Sequence, residues 1–291
     1  MASLKEIKGR IASIKNTQKI TSAMRMVASA KLHHTQSMTE HFLHYRDELE
    51  NIVTSLTPTP LFPTQEENTT APEKNTSSVL LIPISSNSGL CGAFNSNIAK
   101  ATAKRIGEWQ AHGAVVHLMP IGKKIAHEIK KDHPDANFTY TNLIEKVEKS
   151  SDYADVPQLV DYLLQLHQNS AIDNAECIYH HFKTVGTQII TAATLTLVPP
   201  TPPVMKESPF LTEPTPDELL TALFPRLLNA QVYGLLLDSL TSEHAARMLA
   251  MQTADDNAND LLAELTLLYN KTRQQAITNE LIDILGGRIE E

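Results

Sequence analysis

Leu4-Lys5-Glu6-Ile7-Lys8-Gly9-Arg10-Ile11-Ala12-Ser13-Ile14 decides the architecture of this chain. Its apolar residues Leu4, Ile7, Ile11 and Ile14 recur at alternating spacings of three and four, the repeat of a coiled-coil seam. The helix reaches far past this stretch, because residues 3–56 contain no proline and a single glycine, Gly9. Beyond Ile14 the apolar phase slips to Ile20, Met24 and Val27, then thins into Ala28, Ala30 and Leu32. Phe42, Leu49, Val53 and Leu56 resume it more loosely, and the small residues from Ala23 to Ala30 would let a partner helix come close. Such a helix is several times the usual length of about 11–12 residues. It cannot bury its stripe alone.

The other end of the chain supplies a partner. Asp217 reads as a helix cap with Glu218 in the first turn, where negative charge suits the helix dipole. From there to Leu285 the only breakers are Pro225 and Gly234, both early. Leu261, Leu265, Leu268 and Thr272 keep the alternating spacing, flanked by Leu262, Tyr269 and Ala276, and Ile277, Leu281 and Ile284 carry it on until Gly286-Gly287 stops it. Charge agrees with this pairing. Through residue 31, seven basic residues face Glu6 alone, a net of +6, whereas from Asp238 onward ten acids face four basic residues, a net of −6. A basic amino-terminal arm can mark nucleic-acid binding, but no aromatic platform or recognition motif accompanies it here.

Between the two arms the period changes. Val79-Leu80-Leu81-Ile82-Pro83-Ile84 reads as a buried strand, Ala114–Met119 as a second, Asn137–Thr141 as a weak third, and Cys177–Thr184 and Thr187–Val198 as two adjacent strands turning at Val185-Gly186. Helices are expected over 96–111, 121–131 and 157–168. Strand alternating with helix predicts a mostly parallel sheet with covered faces, a Rossmann-like α/β domain ending in a hairpin. The expected organisation is therefore a shaft helix at 1–56, a proline-rich connector at 57–77, an α/β domain at 78–199, a second connector at 200–216 and a second shaft helix at 217–291. No run of about 18 apolar residues suggests a bilayer span, and the start lacks the apolar core of a signal peptide. Cys91 and Cys177 are the only cysteines, which is the usage of a reducing compartment rather than of a disulfide framework.

Chemistry has few candidates. The turn Ser85-Ser86-Asn87-Ser88-Gly89-Leu90-Cys91-Gly92 follows a strand and precedes a helix, where α/β folds bind phosphate or place a nucleophile. It lacks the glycine spacing of a dinucleotide fingerprint and the ending of a P-loop, and Gly122-Lys123-Lys124 lacks them too. A structural turn is the simpler expectation: Gly89 and Gly92 adopting left-handed backbone, Cys91 packing as a small hydrophobe. His33, His34, His41 and His44 lie on the first helix, but no carboxylate or thiolate completes a metal site with them. No metal, cofactor or catalytic constellation is expected. A soluble α/β enzyme with helical extensions is the alternative reading, and an unrelated coiled-coil scaffold a third.

Three stretches together resemble one family. They are Ile11 to Thr21 continuing as Ala23 to Lys31; the turn Gly89-Leu90-Cys91-Gly92 with Phe94-Asn95; and Ser242-Glu243-His244-Ala245-Ala246-Arg247-Met248, Asp256 to Asp260, Leu265 to Lys271, Arg273-Gln274, Ala276-Ile277-Thr278, Glu280-Leu281 and Gly286-Gly287. In order and over the whole chain they resemble the gamma subunit of rotary, proton-translocating ATP synthases of bacterial type. The resemblance implies a non-catalytic shaft turning inside a hexamer of alpha and beta subunits, with the central domain against the epsilon subunit and the membrane c-ring. It places one copy in each complex, at the cytoplasmic face of the inner membrane. It further implies that Met24, Arg25, Arg273 and Gln274 touch beta-subunit loops, and that Ile277, Leu281 and Leu285 sit in an apolar bearing. Where the family usually carries Asp and Arg before the Gly-Leu-Cys turn, this chain has Asn87 and Ser88.

Overall fold

A computed structural model describes residues 3–56, 77–132, 137–139, 142–150, 152–198, 213 and 215–286. The first connector (but for Ser77), most of the second, the stop at Gly287 and the 288–291 tail lie outside the described residues. Two helices dominate. α1 spans Leu4–Leu56 and α6 spans Pro216–Gly286, 53 and 71 residues respectively, or about 80 and 105 Å at 1.5 Å per residue. Between them run β1 (Ser78–Pro83), α2 (Phe94–Ala111), β2 (Val115–Leu118), α3 (Lys123–Asp132), β3 (Asn137–Phe138), α4 (Asn142–Ser150), α5 (Val156–Gln168), β4 (Asn174–Thr184) and β5 (Thr187–Leu195). α4 was not expected: nine residues, with Ile144 and Val147 buried, give too short a period to read.

The chain forms two compact units, one of residues 1–29 with 247–291 and one of residues 30–246. In the larger unit the sheet order is β3-β2-β1-β4-β5. β1, β2, β3 and β4 are parallel, and β5 returns antiparallel on β4 as the expected hairpin. β1 is buried almost throughout, as a central parallel strand must be. One face packs Val79, Leu81, Ile98, Ile106, Trp109 and Ile125; the other packs Leu80, Ile82, Leu159, Leu163 and, from α6, Leu228, Val232, Tyr233 and Leu237. Lower on the helices, Leu49, Val53 and Leu56 of α1 meet Leu220, Leu227 and Ala230 of α6.

α6 runs without interruption through Pro225 and past Gly234, the two expected breakers. A proline inside a helix costs about 3 kcal/mol; burial of Phe224, Leu227 and Leu228 around it offsets that cost. Gly234 lies against Phe42, which also meets Tyr233 edge-on at 4.8 Å. α6 also contains an 18-residue window of mean hydropathy 1.2, so the expectation that nothing is apolar enough for a bilayer was too strong. In this fold 39% of that window is buried within the protein.

A buried ion pair ties α2 to the sheet. Glu176 on β4 is 2% exposed and accepts two 2.7 Å hydrogen bonds from Arg105, plus one at 3.2 Å from Trp109 Nε1. The pairing raises the Arg105 guanidinium above its ordinary value, with Glu176 the largest cause. Removing one partner of such a pair strands a buried charge, so Glu176→Gln should cost about 3 kcal/mol. Trp109 is the only tryptophan, and urea unfolding followed by its fluorescence should show the lowered midpoint.

His180, also on β4, stacks on Phe94 at 4.2 Å, and burial pushes its pKa from 6.5 down to about 4. The folded chain thus keeps a neutral imidazole that the unfolded chain protonates first. Stability from this group is complete above pH 6.5 and is lost as pH falls toward 4, by at most about 3 kcal/mol. Unfolding midpoints measured from pH 7 to 4 should fall more steeply for the parent than for His180→Phe.

Candidate functional site

The crevice of a parallel α/β sheet opens where neighbouring strand connections part, at the strand C-termini. Here that point lies between β1 and β4, beside the turn Ser85–Gly92. α6 runs across it. Ser242 Oγ donates to the His180 carbonyl at 2.9 Å. Asp238 accepts from Phe182 N at 2.7 Å and pairs with His181 Nδ1 at 2.6 Å. Burial holds the Asp238 carboxyl above its ordinary range, against the opposing pull of those two partners. Beneath α6 at the Ser85 turn is a cavity of about 60 Å3 lined by Ser85, Asn87, Ile121, Ser239 and Glu243, among others, far below the 300–1,000 Å3 of ordinary ligand sites. Beside the Asp238–His181 pair, between α1 and α6, a second cavity of about 310 Å3 only reaches the bottom of that range.

The turn's polar groups are also used internally. The α3 N-terminus would be the natural anion cradle, yet Lys123 N donates to Asn87 Oδ1 at 3.0 Å, Lys124 N to the Ser86 carbonyl at 3.3 Å and Ile125 N to Ser85 Oγ at 3.1 Å. Gly122 has φ +113°, and a Cβ there would overlap Ser85, so this glycine serves a close backbone approach rather than a phosphate. Asn87 thus caps α3.

Cys91 is 2% exposed. Asn95 Nδ2 donates to its sulfur at 3.2 Å, Ser86 Oγ lies at 3.6 Å and the Ser88 carbonyl at 3.9 Å. None of these partners is a base, so the geometry suits packing and not nucleophilic attack. Gly92 has the expected positive φ, 60°. The second left-handed residue is not Gly89 but Leu90, at φ 63°, and its side chain is 62% exposed. A leucine forced into that region signals a turn fixed from outside itself, here by Ser86 Oγ donating to the Ser88 carbonyl at 2.6 Å and Ser86 N to Asn95 Oδ1 at 3.1 Å.

The other expected site residues lie in the smaller unit, on the paired helices. Gln18 Nε2 donates to Asn259 Oδ1 at 2.6 Å, and Arg25 Nη1 to Gln252 Oε1 at 2.5 Å, so the helices run antiparallel. Arg25, expected to face a partner subunit, thus spends its guanidinium within the chain, with Asp255 3.9 Å away. Met24 is half-buried beside it.

The apolar phase does not slip after Ile14. The least exposed positions of α1 continue as Gln18, Thr21, Arg25 and Ala28, while Ile20, Met26 and Val27 stand 57–64% exposed. On α6, Ala258, Leu262, Leu265, Tyr269, Thr272 and Ala276 face inward, and Leu261 and Leu268 outward, at 48% and 46% exposed. Seven residues separate the two cross-helix bonds on each helix, so the same register sets Arg273 beside Leu4. Past it α6 runs beyond the first residue of α1. Arg273 and Gln274 are exposed, and so are Ile277 (49%), Leu281 (54%), Ile282 (59%) and Ile284 (67%). The side chain of Leu285 lies outside the described residues. Among the described residues no group of three or more His, Cys, Asp or Glu could hold a metal ion.

Residues 3–288 match the family described as ATP synthase. The ATP synthase gamma chain of Parabacteroides distasonis is 45% identical over 99% of this chain and 98% of its own length. That of Paracoccus denitrificans is 36% identical over 99% of both. Among solved structures, a chain of the Euglena gracilis mitochondrial ATP synthase, in its assembly of OSCP, F1 and c-ring, shares the fold at TM-score 0.67 and 19% identity, covering 97% of this chain and 92% of that one. With the family matched over nearly its whole length and relatives matched end to end, this chain belongs to the ATP synthase family, among its gamma chains.

Proposed function

We propose that this chain is the central rotor shaft of ATP synthase, coupling rotation of a membrane ring to ATP synthesis or hydrolysis on other subunits and catalysing nothing itself. The observation that carries this reading is the outward apolar face of the helix pair: Ile20, Met26 and Val27 on α1, Leu249, Leu261 and Leu268 on α6, then the exposed run Ile277, Leu281 and Ile284. A monomer leaving so many large apolar side chains in water has a partner for them. The reading as a stand-alone enzyme loses its support because α6 fills the crevice such an enzyme needs.

The proposed partners are the ones that the resemblance implies. Alpha and beta subunits surround the helix pair, while the epsilon subunit and the c-ring meet the α/β domain, with one copy of this chain in each complex. As part of a membrane-associated complex it is peripheral to the bilayer, at the cytoplasmic face of the inner membrane. Met24, Arg273 and Gln274 touch beta-subunit loops, as does whatever face of Arg25 its internal bonds leave free, and Ile277, Leu281 and Leu285 turn in the apolar bearing.

Torque then works as differential contact. Each angle of the shaft offers a different face to each beta subunit and so biases its nucleotide states. Shifting a two-state equilibrium from 1:99 to 99:1 takes about 5.5 kcal/mol, equivalent to roughly 220 Å2 of apolar surface buried in one state and not the other. A few half-exposed leucines and isoleucines are enough.

Co-purification with alpha and beta subunits, followed by an ATPase assay, tests the proposal directly; a chain that never joins them would overturn it. Within that complex, Arg273→Ala with Gln274→Ala should slow turnover several-fold while the isolated chain keeps its unfolding midpoint. Cys91→Ser should do little. The hydroxyl inherits the Asn95 and Ser88 partners, so assembly should be normal and turnover within a few-fold of the parent, whereas an acting nucleophile would lose orders of magnitude.

A further inference from the structure

Polar residues in the middle of a coiled-coil seam weaken it and fix its alignment. In the smaller unit the seam of α1 begins with Leu4, Ile7, Ile11 and Ile14 and then keeps its spacing through Gln18, Thr21 and Arg25 before reaching Ala28. Two of these polar residues bond across to α6: Gln18 to Asn259 at 2.6 Å, and Arg25 to Gln252 at 2.5 Å with Asp255 at 3.9 Å. Gln252 in turn donates to Asp256 at 3.3 Å. The Asp255 side chain is only 13% exposed, and its Oδ1 is buried with no hydrogen-bond partner among the described residues. The cation paired with that carboxylate is Arg25, 3.9 Å from its Oδ2.

The spacing of these bonds makes them selective. Both helices advance seven residues from one bond to the next, so the bonds occupy equivalent places in successive heptads. The competing alignments of a coiled coil are slips by whole heptads, because those preserve the seam. A slip one way sets Arg25 beside Ala245 and the other way beside Asn259. Either slip leaves the Asp255 carboxylate buried without its cation, which is far costlier than mispairing alanine or leucine.

We infer that Arg25, Gln252 and Asp255, with Gln18 and Asn259, form a register lock that fixes the axial alignment of α1 on α6. Arg25 is a positioning residue. On the rotor reading, which the functional consequence rests on, a heptad slip would move the outward residues of one helix about 10 Å past those of the other. The face that each beta subunit meets would no longer be a single surface.

Cysteine cross-linking in the full chain tests the lock, since Cys91 and Cys177 are buried. The pair Ile11→Cys/Thr266→Cys reports the observed alignment, one heptad on from Gln18 and Asn259. The pairs Leu4→Cys/Thr266→Cys and Ile11→Cys/Arg273→Cys report the two slips, since a disulfide needs Cα atoms within about 7 Å. In the parent background the first pair should link at least tenfold faster than either slip pair. With Arg25→Leu and Asp255→Leu together, which removes the lock and leaves no charge stranded, the slip pairs should rise to within about threefold of the first. The exchanged pair Arg25→Asp/Asp255→Arg should restore the parent preference, and it keeps the test decisive if the double leucine variant does not fold. Unchanged preference in the double leucine variant, no restoration by the exchange, or slip pairs already competitive in the parent would each overturn the lock. These measurements need no other subunit, so they stand apart from the co-purification that tests the rotor reading.

Discussion

A helix of 53 or 71 residues with an apolar stripe along it cannot persist alone in water, and in this chain the stripe is covered by the other long helix. Helix propensity gives at most a few tenths of a kcal/mol per residue, whereas each buried leucine or isoleucine contributes about 1.5–3 kcal/mol. Leu4, Ile7, Ile11 and Ile14 therefore exist as a helix face because Leu262, Leu265, Tyr269 and their neighbours oppose them. The long-range charge difference between the arms plays a smaller part. The ion pair between Arg25 and Asp255 is long at 3.9 Å, and pairs of this kind add about 0–1 kcal/mol when solvated. Its value lies in specifying alignment.

The α/β domain depends on the same helix. In the larger unit α6 contributes Leu228, Val232, Tyr233 and Leu237 to the sheet's core and bonds the ends of β4 through Asp238 and Ser242. A fold that in other proteins leaves a ligand crevice at this edge here uses the edge as a mount. The Ser85–Gly92 turn changes meaning accordingly. Its Ser85 hydroxyl and Asn87 cap α3, its cysteine is packed, and Leu90 faces solvent from a strained backbone. Rigidity at this edge suits a part that must carry load between two ends.

Much of this was legible in the sequence, and the reasons for the failures are specific. The mostly parallel sheet and its closing hairpin followed from Val79–Ile84 and from the two runs around Val185-Gly186, where apolar content and spacing leave little choice; the strand order comes from the structure. The first four seam residues were legible because each is large and apolar. The seam then became invisible at Gln18, Thr21 and Arg25, because a search for apolar period follows Ile20, Met24 and Val27 instead. Of these, Ile20 and Val27 prove to be outward residues. The left-handed position was assigned to Gly89, since glycine adopts it without strain, when hydrogen bonds of Ser86 and Asn95 impose it on Leu90. The role of Gly122 depends on a contact with Ser85, 37 residues earlier in the chain, which no local pattern contains.

The reversal of expected polarity on α1 has a physical logic. A fully apolar seam would hold the helices more tightly, but it would tolerate slips and would leave polar residues outside, where a partner's apolar sleeve would have to desolvate them. Placing Gln18, Thr21 and Arg25 inward lets Gln18 and Arg25 bond to α6 and Thr21 to the Gln18 carbonyl of its own helix, and frees Ile20, Met26 and Val27 to face outward. An apolar outer face slides with little directional preference, since dispersion and hydrophobic contact have no fixed geometry. Hydrogen bonds facing a bearing would instead hold preferred angles, each costing about 0.5–1.5 kcal/mol to break. A shaft that must turn is thus served by directional bonds on its axis and non-directional contact on its rim, and α1 distributes its residues in that way.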